Sequence, residues 1–272
     1  MPIYVPGKLT LRKTWQPMDP DAAAYIAAVE TADGQSLEEA TKRAIDNFVL
    51  GCKEDGIWSA IKASCILAGA RTLAGCLVPL AGTAPTNFNF VAGDYNRKTG
   101  LKGDGSTKYL NSNRAANADP QNSFHASAYV SSVQINPVGK AILGAINTTP
   151  SVNRFLQLAV DDQQDIAANR SLNSLPSNRA AGSLATGLQG TSRGTNSLFS
   201  FLISKQQLTT TASSITPGGS NIYVFAQNLN NGTLSAPTDA RLSFYSIGES
   251  LDLAKLDGRV TDLMNAFAAA IP

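Results

Sequence analysis

Between Glu54 and Glu249 the chain contains no glutamate, and only 15% of its 272 residues carry a formal charge. Loops in that stretch must therefore be built from neutral hydrogen-bonding side chains and glycine. A single histidine, His125, gives no sequence support for a Ser-His-Asp triad. The three cysteines, Cys52, Cys65 and Cys76, crowd into one apolar region. Their odd number and spacing fit neither a zinc site nor a disulfide framework, and buried thiols kept reduced are expected. No long unbroken apolar run exists: residues 61–82 are interrupted by Arg71 and suit a buried helix better than a bilayer span. The first fifteen residues hold no apolar signal core, so secretion is not expected. A net charge of +2 gives no reason to expect nucleic acid or membrane binding.

Four segments stand out in what is present. Residues 1–20 hold Pro2, Pro6, Pro17 and Pro20, which block helix and suggest an extended arm. Trp15 within it is costly to leave in water and points to docking on another protein. Residues 21–84 read as helical. Pro20-Asp21 opens one helix ending at Gly34, and Ser36 with Glu39 forms a capping box for the next. Leu37, Ala40, Ala44, Phe48 and Cys52 recur at three- and four-residue steps, and Ile57, Ile61, Cys65 and Ala68 suggest another helical face beside Trp58.

After Pro85 the text becomes short strands punctuated by Gly, Asn, Pro and Ser, over residues 85–249. Strands are expected near 106–111, 124–133, 140–147, 154–160, 166–172, 197–204, 207–212, 221–228 and 240–247. In residues 124–131, Phe124, Ala126, Ala128 and Val130 alternate with His125, Ser127, Tyr129 and Ser131, a half-buried period of two. Many short strands at regular spacing imply an antiparallel β-sandwich of jelly-roll type. Residues 250–272 return to helix, with Leu256, Val260, Leu263 and Phe267 on one face. That face packs on the sandwich or forms a seam with a second protomer. The fold class is mainly β with α: a helical lead-in, a β-sandwich and a C-terminal helix.

Residues 100–108, Gly-Leu-Lys-Gly-Asp-Gly-Ser-Thr-Lys, invite a chemical reading. A phosphate cradle needs lysine directly after the second of two glycines five apart, but Ser106 follows Gly105. A calcium loop needs alternating oxygen ligands and a closing glutamate, and only Asp104 is present. Asp104-Gly105 running into a strand is instead a turn.

Three blocks of sequence carry a resemblance: residues 21–58, residues 93–114 and residues 241–252. Together they resemble tailed-bacteriophage virion proteins in which a helical lead-in precedes a concanavalin-A-like, laminin-G-like jelly roll. The likeness runs from residue 19 to about 270. It implies a virion component, either a tail fibre or similar host-facing appendage that contacts surface glycan, or a capsid decoration clamping coat subunits. It also implies other virion proteins as partners and a homo-oligomer, a trimer before a dimer. No catalytic motif comes with it.

Glycan-facing candidates are Tyr95, Asn96 and Arg97 in one loop and Asn228 and Asn230 in another, where aromatic faces and amides suit sugars. Trp15, Leu256, Val260, Leu263 and Phe267 are the assembly candidates. Asp161, Asp162 and Asp165, clustered in a turn, could hold Ca2+, and no other cofactor is indicated. Glycoside hydrolysis needs two carboxylates close together, and no Asp/Glu pair stands at alternate positions of a strand. The sequence therefore points away from an enzyme, with glycan cleavage the least favoured reading.

Overall fold

Asp19 begins the described fold by capping a helix. Its carboxylate accepts hydrogen bonds from the backbone N–H of Asp21 and Ala22, at 2.9 and 3.3 Å. Pro20 then occupies the first helical turn, where its missing donor costs nothing. The computed structural model describes residues 19–133, 139–148, 153–160, 166–172, 179–180 and 185–272. Trp15, Asp161, Asp162 and Asp165 lie outside the described residues.

The chain runs α1 (Pro20–Asp33), α2 (Glu39–Glu54), β1 (Ile61–Ile66) and α3 (Leu73–Cys76). Next come β2 (Thr86–Phe88), β3 (Tyr95–Asn96), β4 (Gly100–Lys102), β5 (Tyr109–Ala115), β6 (Phe124–Ser132) and β7 (Ala141–Thr148). β8 (Asn153–Val160), β9 (Ile166–Leu172), β10 (Arg179–Ala180), β11 (Gly187–Arg193), β12 (Leu198–Ile203) and β13 (Gln206–Thr211) follow. The chain ends with β14 (Asn221–Val224), β15 (Gln227–Leu229), β16 (Thr233–Ser235), β17 (Arg241–Gly248) and α4 (Leu253–Ala270).

Among the described residues the strands form two sheets. The first is ordered β13-β12-β11-β6-β17-β4-β3, with β1 also on β17. The second is ordered β10-β9-β8-β7-β14-β5-β2, with β15 and β16 beside β7. Pairing is antiparallel except for β15 against β7. One face of the first sheet meets the second sheet, and the other is roofed by α2 and α4. On that roofed face Phe48 of α2 meets Phe244 of β17 edge-on, with ring centroids 5.8 Å apart. Gly190 of β11 lies under Leu253 of α4, where a Cβ would come 2.9 Å from its Cδ2.

This third layer explains why β6 is buried on both faces, where its alternation predicts one. His125 and Ser127 are as fully buried as Phe124 and Ala126, because they point into the helical roof. It also settles the C-terminal face. Leu256, Val260, Leu263 and Phe267 are buried inside the chain, so of the two expectations for this face the packing on the chain's own body holds and the seam between protomers is corrected.

Two further expectations need correction. Residues 61–66 are strand β1, with Cys65 opposite Tyr245 and Ile66 opposite Phe244. Ala63, Ser64, Cys65 and Ile66 are all buried, and the short alternation of Ile61, Ala63 and Cys65 with Lys62 and Ser64 is masked by the helical spacing of Ile57, Ile61, Cys65 and Ala68. The Ser36–Glu39 capping box does not form: α2 starts at Glu39 behind Glu38, with no side-chain cap. Ser36 instead offers its carbonyl to Arg71 Nε.

Candidate functional site

The 100–108 loop does hold an anion, and it is the chain's own. The Asp104 carboxylate accepts from the backbone N–H of Ser106, Thr107 and Lys108 at 2.9, 2.8 and 3.0 Å, and from Thr107 Oγ1 at 2.7 Å. Partial burial disfavours the charge, but these donors outweigh it and hold the carboxyl below its usual range. With its N–H groups so occupied, the loop is a turn.

The Tyr95–Arg97 loop is likewise spent internally. Tyr95 donates its hydroxyl to the Ala70 carbonyl at 2.7 Å, and burial pushes its pKa well above the ordinary phenol value. Arg97 forks onto Glu38 at 3.1 and 2.7 Å and also reaches the Ala70 and Gly69 carbonyls. That fork, chiefly its hydrogen bonds, lowers the Glu38 carboxyl to about 2. Asn96 is exposed but closes its own turn by accepting from the N–H of Lys98 and Thr99. In the second loop Asn228 is buried, donating to the Asn221 carbonyl and accepting from Gly232 N–H. Asn230, at φ 52°, holds Thr148 through its amide. The structure therefore does not bring the five glycan candidates into one site. Four brace the fold and Asn96 stands alone.

A different constellation is assembled across the helical lead-in. Trp58 was expected on a helix, yet it opens a single 3-10 turn, Trp58–Ala60, between α2 and β1. Its half-buried indole borders a groove of about 470 Å³ whose lining includes Asp21, Tyr25, Ser59, Lys62 and Leu80. Trp58 Nε1 donates to Asp21 Oδ2 at 3.1 Å. Lys53 Nζ lies 2.6 Å from the Asp21 carboxylate, 2.8 Å from that of Asp19 and 5.7 Å from the Trp58 ring centroid. Burial works against the Asp19 charge, but the Lys53 hydrogen bond and the two capping N–H groups prevail, and its pKa falls below the usual value. The same contacts with Asp19 and then Asp21 raise Lys53 above the ordinary lysine value.

Chemically, the groove presents an aromatic surface, an exposed carboxylate at Asp21, an exposed hydroxyl at Ser59 and an ammonium at Lys62. Lys62 is also tied at 3.0 Å to Glu249, just after β17. This is an acceptor-and-donor rim around an apolar floor. Sequence reasoning missed it because Asp19, Lys53 and Trp58 are separated by up to 39 residues and meet only where α1, α2 and the 3-10 turn converge. Among the described residues no group of three or more His, Cys, Asp or Glu is placed to hold a metal, and no helix is long and apolar enough to cross a membrane.

No protein-family model matches the chain, and no curated protein matches it. Solved structures do. A mutant Trypanosoma rangeli sialidase displaying trans-sialidase activity aligns with 82% of this chain and 39% of its own, at 13% identity and a TM-score of 0.50. Domain 4 of an extracellular arabinanase from Geobacillus stearothermophilus, in complex with arabinotriose, aligns with 68% of this chain and 82% of its own. Its identity is 14% and its TM-score 0.42. Tailspike protein 2 of an Escherichia coli O157:H7 bacteriophage aligns with 64% of this chain and 25% of its own, at 12% identity and a TM-score of 0.39. The chain thus spans about two fifths of the sialidase and a quarter of the tailspike. At 13% identity the likeness to the sialidase shows a shared fold alone.

The expectation of a non-enzyme is corrected by the sialidase, an enzyme that aligns with 82% of this chain at a TM-score of 0.50. Two carboxylates can meet without standing at alternate positions of one strand. The fold instead gathers Asp19 and Asp21 on a common lysine at the start of α1.

Proposed function

We propose that the protein is a bacteriophage virion component of the tail-appendage kind, and that it recognises surface glycan through the Trp58 groove. The observation that carries this reading is the half-buried indole of Trp58, which donates to the Asp21 carboxylate and lines one groove with it and with Lys62. A sugar ring has an apolar face of C–H bonds and a rim of hydroxyls. An aromatic surface takes the first, and fixed donors and acceptors take the second. The virion half of the reading is supported by the resemblance of residues 19–270 and by a sandwich carrying a helical lead-in.

A glycan array built from host envelope saccharides tests the binding. Wild type is expected to bind at least one glycan, and Trp58→Ala to weaken it about tenfold, the loss of roughly 1.4 kcal/mol. Failure of wild type on every host saccharide overturns the reading. Labelling intact particles with an antibody then separates tail from capsid.

Cleavage of the bound glycan is the second reading, favoured by the Asp21 carboxylate on the groove, which shares Lys53 with the buried Asp19 outside the lining. The exposed Asp21 suits contact with substrate, and Asp19, through their common Lys53, positions it. Release of reducing ends or free sialic acid by wild type, lost in Asp21→Asn, is the result that supports it.

A further inference from the structure

Sheet edges expose backbone N–H and C=O groups that pair with any strand offered to them. Folds blunt such edges by shortness, charge, proline or bulges. Among the described residues the strands with an unpaired side are, with one exception, short or covered: β3 and β10 have two residues each, β2 and β16 have three, and six-residue β1 carries Lys62 and is bridged by Ala81 at Ser64. β13 is different. It runs six residues in unbroken register with β12, from Leu198 opposite Thr211 to Ile203 opposite Gln206. Its sequence, Gln-Gln-Leu-Thr-Thr-Thr, holds no proline and no charge. Both of its faces are open, since Gln206, Gln207, Leu208, Thr209 and Thr211 are all exposed. Leu208 keeps 39% of its surface in water, as does Leu198 at the far end of the hairpin. No described strand pairs with the outer side of β13.

We propose that β13 is a self-association edge, at which β13 of a second copy of this chain adds antiparallel about a two-fold axis and joins two copies of the first sheet into one. The proposal is independent of the glycan reading. Charge and side-chain pairing select a second copy. A two-fold axis normal to the sheet keeps side chains on their own face, so the pairing centres on Leu208 or on Thr209. Centred on Leu208, the two leucines lie side by side, each already opposite Phe201 of its own β12, and an apolar row of four crosses the joint. Centred on Thr209, threonine meets threonine. In both registers the two Lys205 side chains fall at opposite ends of the pair, roughly 20 Å apart when centred on Leu208 and roughly 27 Å when centred on Thr209, so no like charges meet. Two six-residue strands bury less than the roughly 1,200 Å² of a standard interface, so the association depends on concentration. Closed two-fold symmetry then stops growth at two copies.

Sedimentation equilibrium of the full chain tests this. The mean mass is expected to climb toward twice the monomer with concentration in wild type, and to stay at one monomer in Leu208→Lys/Thr210→Lys with an unchanged circular dichroism spectrum. Leu208→Cys or Thr209→Cys, one for each register, is expected to yield a disulfide-linked dimer on mild oxidation. Asn265→Cys on α4 is the exposed control, and the native cysteines are buried out of reach. A monomer at every concentration, or a dimer or trimer that survives the double lysine variant and gives no cross-link at 208 or 209, overturns the proposal.

Discussion

His125 is fully buried on the roofed face of β6. Its Nδ1 lies 2.6 Å from the Glu249 carbonyl, which can only accept, so that nitrogen carries the proton. Nε2, at 2.7 Å, then accepts from the Ser246 hydroxyl. Burial of the neutral ring lowers its pKa from 6.5 to about 4. The unfolded chain therefore takes up a proton that the folded protein refuses, and stability is lost as pH falls from about 6.5 toward 4. The full loss is on the order of 3 kcal/mol. Denaturation midpoints at pH 7, 6 and 5 should fall in wild type and fall less steeply in His125→Gln, and parallel slopes would refute this role. At this scale the sequence gives residue type without direction. Tyr95, Arg97 and Asn228 have the chemistry of a sugar site, but each is spent on a backbone or carboxylate partner inside the fold.

The β12–β13 hairpin turns through Ser204 and Lys205, both left-handed at φ 52° and 63°. A two-residue turn of this kind normally uses Asn-Gly, because a Cβ costs about 1 kcal/mol or more in that region. Lys205→Gly should therefore be stabilising by about 0.5 kcal/mol after the flexibility of glycine in the unfolded chain is deducted. Differential scanning calorimetry should register a midpoint about 1–2 °C higher, and a lower midpoint would show that lysine is making a compensating contact. Most strands past Pro85 were legible within a few residues because turn residues bracket them. β11 was not. Its Gly-Leu-Gln-Gly-Thr-Ser-Arg sequence looks like a loop, yet it is fully buried between β6 and β12, with Gly190 required by the approach of Leu253. β1 was hidden for a different reason: Ile57, Ile61, Cys65 and Ala68 fall at helical spacing, which masks the alternation of Ile61, Ala63 and Cys65 with Lys62 and Ser64.

Across the whole molecule, the helical lead-in is an integral layer of the sandwich. Glu38 and Arg97 join α2 to the loop after β3, Phe48 meets Phe244, and Arg259 of α4 forks onto Asp55 at 2.7 and 3.0 Å. The mainly-β architecture with helices at both ends was legible from the change in residue pattern at Pro85. The groove was not, because it is made by the junction of three elements that look independent in sequence. Its Trp58 is one of two tryptophans in the chain, so a Trp15→Phe background isolates its fluorescence. The decisive measurement is a fluorescence titration of that variant with a glycan the array identifies. The account predicts a saturable change in Trp58 emission that tracks binding, persists in Tyr95→Phe and weakens in Asp21→Ala. Binding that leaves Trp58 emission unaltered, or that Tyr95→Phe abolishes in a folded protein, would contradict it.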